Sequence, residues 1–258
     1  MNRTKFLFII FILVSLITNG QSLIVPGEGF QTSLSTGNIQ YKDYLYNGLR
    51  NSGLNLSLGF LYGLNKNSIN HEAGFNYDAA ILWNRYGWEN SCHQSNVHYR
   101  LLANVKERIQ LGGNIGYSNF YYENEYFDSH HTYWLTTINL GLSACYWLPV
   151  NSKWIIVLPM NIALMGFLSR PDADHYLILN EPDLKFSDNL KRTNSNFQFT
   201  TLGKNYLDIE TGIFLHTRLA SSRQISIGYK VHFEQTASSL KSQLLTHQLI
   251  VQYPFNKK

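Results

Sequence analysis

The stretch from Gly53 to Gly63 constrains this chain more than any other, because Leu54, Leu56, Leu58, Phe60 and Tyr62 alternate with Asn55, Ser57, Gly59 and Gly63. In extended backbone, successive side chains point to opposite faces. The stretch is therefore a strand with one apolar face and one small, polar face, and a period of 3.6 residues would mix the two. A turn at Asn65-Lys66-Asn67-Ser68 follows, and Ala73, Phe75, Tyr77, Ala79, Ile81 and Trp83 come back in the same alternation.

The pattern runs on to the end of the chain. Val97, Tyr99, Leu101, Ala103 and Val105 lead to a tight turn at Lys106-Glu107-Arg108, and Ile109, Leu111, Ile115 and Tyr117 return. Trp134, Ile138, Leu140, Leu142, Ala144, Tyr146 and Leu148 precede Pro149, and Trp154, Ile156, Leu158, Met160, Ile162 and Leu164 follow it. Leu207, Ile209, Ile213, Leu215 and Leu219, then Ile225, Ile227, Tyr229, Val231 and Phe233, form a hairpin about Ala220 to Arg223. Leu245, Leu249, Val251, Tyr253 and Phe255 close the series. With a first strand over 29–40, the reading is all-β with about ten strands, twelve being the alternative.

Composition decides what the apolar faces meet. Charged residues are 15% of the chain and aromatics 14%, few charges and many rings for a surface in water. No segment after the N-terminus approaches the roughly 20 apolar residues of a spanning helix. An antiparallel up-and-down transmembrane β-barrel reconciles these facts, since alternate residues face lipid and a polar interior. Short connections near 65, 107, 151 and 221 alternate with longer ones near 46, 89, 126, 187 and 238, which puts short turns on one rim and long loops on the other. A soluble β-sandwich also alternates, but strands of ten or more residues exceed its usual length.

The N-terminus carries Arg3 and Lys5, an apolar run from Phe6 to Ile17, and Thr18-Asn19-Gly20, the order of a cleaved secretory signal peptide. The expected organisation is a signal peptide over 1–20 and a barrel domain over 21–258. Removing the signal takes away those two basic residues and no acidic ones, so 21 against 17 becomes 19 against 17. Near neutrality leaves no footprint for nucleic acid.

The pattern resembles the outer-membrane β-barrel superfamily over nearly the whole mature chain, and Leu249, Val251, Tyr253 and Phe255 look like the terminal strand by which such barrels are recognised for assembly. The resemblance implies the Gram-negative outer membrane, membrane lipids and lipopolysaccharide as surroundings, and the barrel-assembly machinery as a partner of the last strand. It implies a structural, binding or narrow-transport role in the cell envelope. Tyr62, Trp83, Tyr117, Trp134, Tyr146, Trp154 and Tyr253 are expected at the lipid interfaces.

Inside such a barrel the opposite parity places Asp208, Glu210, His216 and Arg218 on one strand, with Ser226, Lys230, His232 and Glu234 on its hairpin partner. Mixed charges in a narrow lumen are expected to form a network bracing the wall. The loop over 169–205 is rich in Asp, Glu and Lys and reads as extracellular; Tyr176 to Leu179 and Phe197 to Thr200 are able to extend neighbouring strands. No cofactor is expected. Adjacent His130 and His131 point apart on extended chain and make a poor metal pair. Cys92 and Cys145 are expected near opposite ends of the barrel as unpaired thiols.

One element suggests chemistry. His93-Gln94-Ser95-Asn96 resembles the His-x-Ser-Asn element of outer-membrane phospholipase A and lipid A deacylase, which implies an alternative role as a lipid acyl-ester hydrolase with Ser95 as nucleophile and His93 as base. Both share the lipid-facing parity of Val97, and folding the hairpin about Glu107 sets Asn119 opposite Ser95, where it is the candidate orienting residue.

Overall fold

The computed structural model describes residues 29–43, 49–66, 68–87, 89–124, 131–170, 196–218, 224–236 and 241–255. The expected signal peptide, His130, Tyr176 to Leu179 and most of the 169–205 loop lie outside the described residues. The strands are β1 (Gly29–Asp43), β2 (Leu49–Lys66), β3 (Ile69–Asn84), β4 (Glu89–Lys106), β5 (Ile109–Asn124), β6 (His131–Pro149), β7 (Trp154–Ser169), β8 (Gln198–Thr201), β9 (Tyr206–Arg218), β10 (Gln224–Thr236) and β11 (Ser242–Phe255). No helix occurs among the described residues.

Each of β1 to β7 pairs antiparallel with the next, β7 pairs with β9, and β9, β10 and β11 lead round to β1, which closes the ring. Ten strands make the wall. β8 continues the track of β9: it pairs with the upper end of β7, with Gln198 opposite Leu168, and β9 takes over lower down, with Ile209 opposite Ile162. The break between them turns at Gly203, whose φ of 78° favours glycine. The Phe197 to Thr200 extension expected from sequence is thus present as β8, displaced by one residue.

The register fixes the shape. From Thr137 of β6 the partners read Ser118, Asn96, Asn76, Gly59, Ser33, Gln252, Ser226, His216 and Ile155, and the row returns to β6 at Pro149, twelve residues (149 − 137) below its start. That stagger over ten strands corresponds to a strand tilt of about 40°, within the range for closed barrels. Phe30 and Phe255, near the two described ends, are partners at one rim, and Ser169 and Gln198 lie at the other.

The outer wall is apolar. Leu34, Leu54, Leu56, Leu58, Ile115, Leu140, Leu142, Ile227, Leu249 and Val251 are all exposed on it. In water such a continuous belt is untenable, whereas in hydrocarbon it is the matched solvent. Inside, Ile39, Tyr41, Leu82, Cys92, Phe120, Tyr122, Tyr133, Leu135, Leu168, Tyr206 and Leu244 form an apolar cluster in the upper lumen. A second cluster of Leu102, Cys145, Trp147, Val157, Phe214 and Ile250 fills the lower lumen.

Four sequence readings change in detail. The connection near 89 is short, covering only 85–88, because β4 begins at Glu89 rather than near Val97. A bulge between Leu140 and Gly141 leaves Leu164 without a register partner on β6, so the outward set of β7 passes from Ile162 to Met165 and Phe167. Trp134 has outward parity but is only 5% exposed, within a stretch from Tyr133 to Thr137 that is buried on both faces. Tyr117 lies at the middle of β5, opposite Val97 and Ile138, not at a rim. Tyr62, Trp83 and Trp154 are exposed on the outer wall as expected.

Candidate functional site

A charged layer occupies the lumen between the two apolar clusters, and its position follows from parity. On β9 and β10, Asp208, Glu210, Lys230, His232 and Glu234 alternate with lipid-facing Ile209, Ile213, Tyr229 and Val231. Asp208 is register partner of Glu234, and Glu210 of His232, but the bonds run along the diagonals. His232 Nε2 lies 2.8 Å from Asp208 Oδ1, and Lys230 Nζ lies 3.0 Å from Glu210 Oε2. Diagonal pairing gives Asp208, which shares a like-charged rung with Glu234, a basic partner in His232.

Neighbouring strands complete the valences. Asn161 of β7 donates to Glu210 at 3.0 Å and accepts from Ser143 at 2.6 Å, and Ser143 accepts from Asn114 at 2.8 Å. Asn139 donates to Asp208 at 2.6 Å. The Tyr206 hydroxyl reaches Asp208 at 3.0 Å and Glu234 at 3.2 Å, a single donor placed between two carboxylates. His216 stands lower, with its Nδ1 2.6 Å from the Ser226 hydroxyl, apart from the charged layer. The side chain of Arg218 lies outside the described residues.

The opposite wall supplies a second half that the sequence reading did not single out. Glu72 is the register partner of Arg100 and accepts from its Nε at 2.7 Å and from a terminal guanidinium nitrogen, with His98 Nε2 at 3.4 Å. Asp78 accepts from Asn55 at 3.1 Å and from Gln248 at 2.6 Å. The signal was present: Glu72 and Asp78 stand on the other parity from Ala73 and Phe75, and His98 and Arg100 on the other parity from Val97 and Tyr99. Between the two halves lies a cavity of about 110 Å³ reached by Asp78, Arg100, Asp208, Glu210, Lys230 and His232, enough volume for several waters.

On the outer wall, the register sets Ser95 opposite Asn119, as the hairpin reading required, and His93 opposite Ala79 and Tyr121. The His93 and Asn119 side chains are engaged separately. His93 Nδ1 is 2.8 Å from the Tyr77 hydroxyl and stacks on that ring, and Asn119 donates to Thr136 at 2.8 Å. Cys92 and Cys145 are free and buried, one in each apolar cluster. No metal-holding group of His, Cys, Asp and Glu occurs among the described residues.

A closed antiparallel ring with an apolar outer belt and a charged layer in its lumen defines a transmembrane β-barrel. No protein-family model matches the chain, and no curated protein does. Among solved structures it is similar to the outer membrane protease OmpT from Escherichia coli, with 6% identity, 91% of this chain and 99% of that chain covered, and a TM-score of 0.50. It is also similar to the translocator domain of the autotransporter NalP from Neisseria meningitidis, with 8% identity, 90% of each chain covered and a TM-score of 0.43. At these identities the likeness is one of fold. The chain is a ten-stranded antiparallel β-barrel with an apolar outer wall, and it shares its fold with that outer-membrane protease.

Proposed function

We infer that this barrel serves the cell envelope as a closed structural or binding protein of the outer membrane rather than as a diffusion pore. The observation that carries the reading is the layering of the lumen: an aromatic cluster around Tyr41, a charged layer from Glu72 to Lys230, and a lower cluster around Trp147. Tyr41 packs against Phe120, Tyr122 and Tyr133 with ring centroids 5.0, 5.3 and 5.4 Å apart. A hydrated ion has no path through such packing unless both clusters open. The cross-linked charges brace ten strands against one another, a use that needs no cofactor.

Reconstitution into planar bilayers tests this. The expected record is flat across ±100 mV (about the range in which outer-membrane channels are assayed); stepwise conductance by the folded protein overturns the reading. An alternative role as lipid acyl-ester hydrolase at the outer leaflet keeps its support from the outward placement of His93 and Ser95. It predicts acyl release from phospholipid or lipid A that disappears in Ser95→Ala. The barrel-assembly machinery is the partner proposed for β11, whose pairing with β1 is the closing step of the wall.

A further inference from the structure

The apolar belt is interrupted on one sector of the outer wall. On β1 the outward residues above Leu34 are Thr36, Asn38 and Gln40, and Asn38 has Leu54 of β2 on one side of its rung and His247 of β11 on the other. The Asn38 carboxamide oxygen is shielded from solvent and has no hydrogen-bond partner on its own barrel among the described residues. Acyl chains offer neither donors nor acceptors, so hydrocarbon leaves such a group unsatisfied.

Depth follows from the stagger. At a tilt of about 40°, each residue rises about 2.5 Å along the barrel axis, and each rung step from β3 through β2 and β1 to β11 descends about 3 Å. Exposed Leu54 and Leu56 therefore bracket the level of Asn38, and Trp83 on β3 stands about 11 Å above it. Tryptophan on the outer wall belongs at the membrane interface, which puts Asn38 below it, in the hydrocarbon.

The same geometry arranges the neighbours. Ser52, Asn38 and Leu249 stand nearly one above another, about 8 Å apart in height, while Thr36 and His247 flank that line on opposite sides at depths within about 2 Å of each other. Both flanking groups are half used. The Thr36 hydroxyl donates to the Asn55 carbonyl at 3.2 Å, which leaves its oxygen as an acceptor. His247 Nδ1 lies 2.7 Å from the Tyr229 hydroxyl, and with that phenol donating, Nε2–H is the donor that remains.

We propose that a second copy of this chain docks on this sector about a two-fold axis along the membrane normal, with the two Asn38 carboxamides paired at the axis and Thr36 of each copy accepting from His247 of the other. The surface is complementary to itself. A carboxamide carries both donor and acceptor, and rotation about its outer bond turns either end to a neighbour. A two-fold axis through Asn38 also brings together residues that lie at equal depth on opposite sides of it, and here those are an acceptor and a donor. Ser52 and Thr36 are small enough for the two walls to approach closely. Leucine contacts alone do not select a second copy, because lipid tails satisfy Leu54 and Leu249 equally well; the polar groups do. The interface is separate from the lumen and stands whether or not the barrel conducts.

The test uses the full-length protein, by sedimentation equilibrium in density-matched detergent micelles and by a short bismaleimide cross-linker in isolated membranes. Wild type is expected to dimerise. Asn38→Leu is expected to weaken the dimer at least tenfold, while Asn38→Gln, which keeps the carboxamide, preserves it; both are outer-wall changes whose folding is checked by gel mobility before and after heating. Ser52→Cys, beside the axis, is expected to link two copies, and Leu140→Cys, on the opposite side of the ring, is expected not to. A monomer at every protein-to-detergent ratio, an unchanged dimer affinity in Asn38→Leu, or Leu140→Cys linking as well as Ser52→Cys overturns the proposal. So does a different polypeptide linked to Ser52→Cys in place of a second copy.

Discussion

Replacing Arg100 by Met probes what the charged layer contributes. The side chains of Glu72 and Arg100 are 15% and 16% exposed, so the pair is shielded from solvent and sits directly across the β3–β4 ladder. Methionine keeps most of the aliphatic length and removes both guanidinium bonds to Glu72. A buried carboxylate stripped of its partner costs about 3–5 kcal/mol, and His98, still 3.4 Å away, places the expected loss near the lower end of that range. Removing the charge as well reverses the logic: Glu72→Leu with Arg100→Met is expected to lie within about 1 kcal/mol of wild type, because two apolar side chains leave no orphaned group. Urea titration of folding in detergent micelles, followed by tryptophan fluorescence, measures each variant. A single Arg100→Met within about 0.5 kcal/mol of wild type, or a double variant no better than the single, would refute the claim that this pair matters through its burial.

Other consequences are as direct. An added Cβ at Gly74 would lie 2.2 Å from the His98 ring, so Gly74→Val is expected to cost about 1–3 kcal/mol by overpacking, and adding His98→Ala should restore most of it in the same titration. Phe214 lies across Gly228 in the lower cluster, where an added Cβ would sit 2.2 Å from its ring; Phe214→Ala is expected to lose about 3–5 kcal/mol, read by urea midpoint at unchanged slope. The proposed closure of the lumen by two apolar clusters in series predicts that Tyr41→Ala alone leaves bilayer conductance flat and that Tyr41→Ala with Trp147→Ala raises it; conductance from the single variant shows that the lower cluster does not close. Cys92 and Cys145, buried at opposite ends, should resist maleimide in the folded barrel and label fully after unfolding, with mass spectrometry as the readout.

Legibility in the sequence followed the physics of each level. Strand identity and facing came from a period of two, which an apolar solvent outside and a polar layer inside impose at every position from Leu54 to Phe60. The same parity carried Asp208, Glu210, Lys230, His232 and Glu234 to the interior. It also carried Glu72 and Arg100, which escaped notice because each is a lone formal charge on its strand segment rather than part of a charged run. Diagonal bonding, such as His232 to Asp208 rather than to its rung partner Glu210, depends on side-chain reach and stagger and has no counterpart in a one-dimensional pattern. The bulge at Leu164 and the interruption at Gly203 were invisible for a related reason: each changes parity or continuity without changing composition.

The stagger links these levels and explains why the polar sector on β1 matters. A row of partners descends twelve residues over one turn of the barrel, so residues at one height are displaced from strand to strand, and a polar outward stretch reads in the sequence only as a weak first strand. Folded, Thr36 to Lys42 become a continuous vertical stripe flanked by Gln243 and Arg50. Hydrocarbon disfavours such a stripe, and the strands beside it keep leucine and tryptophan on the same wall.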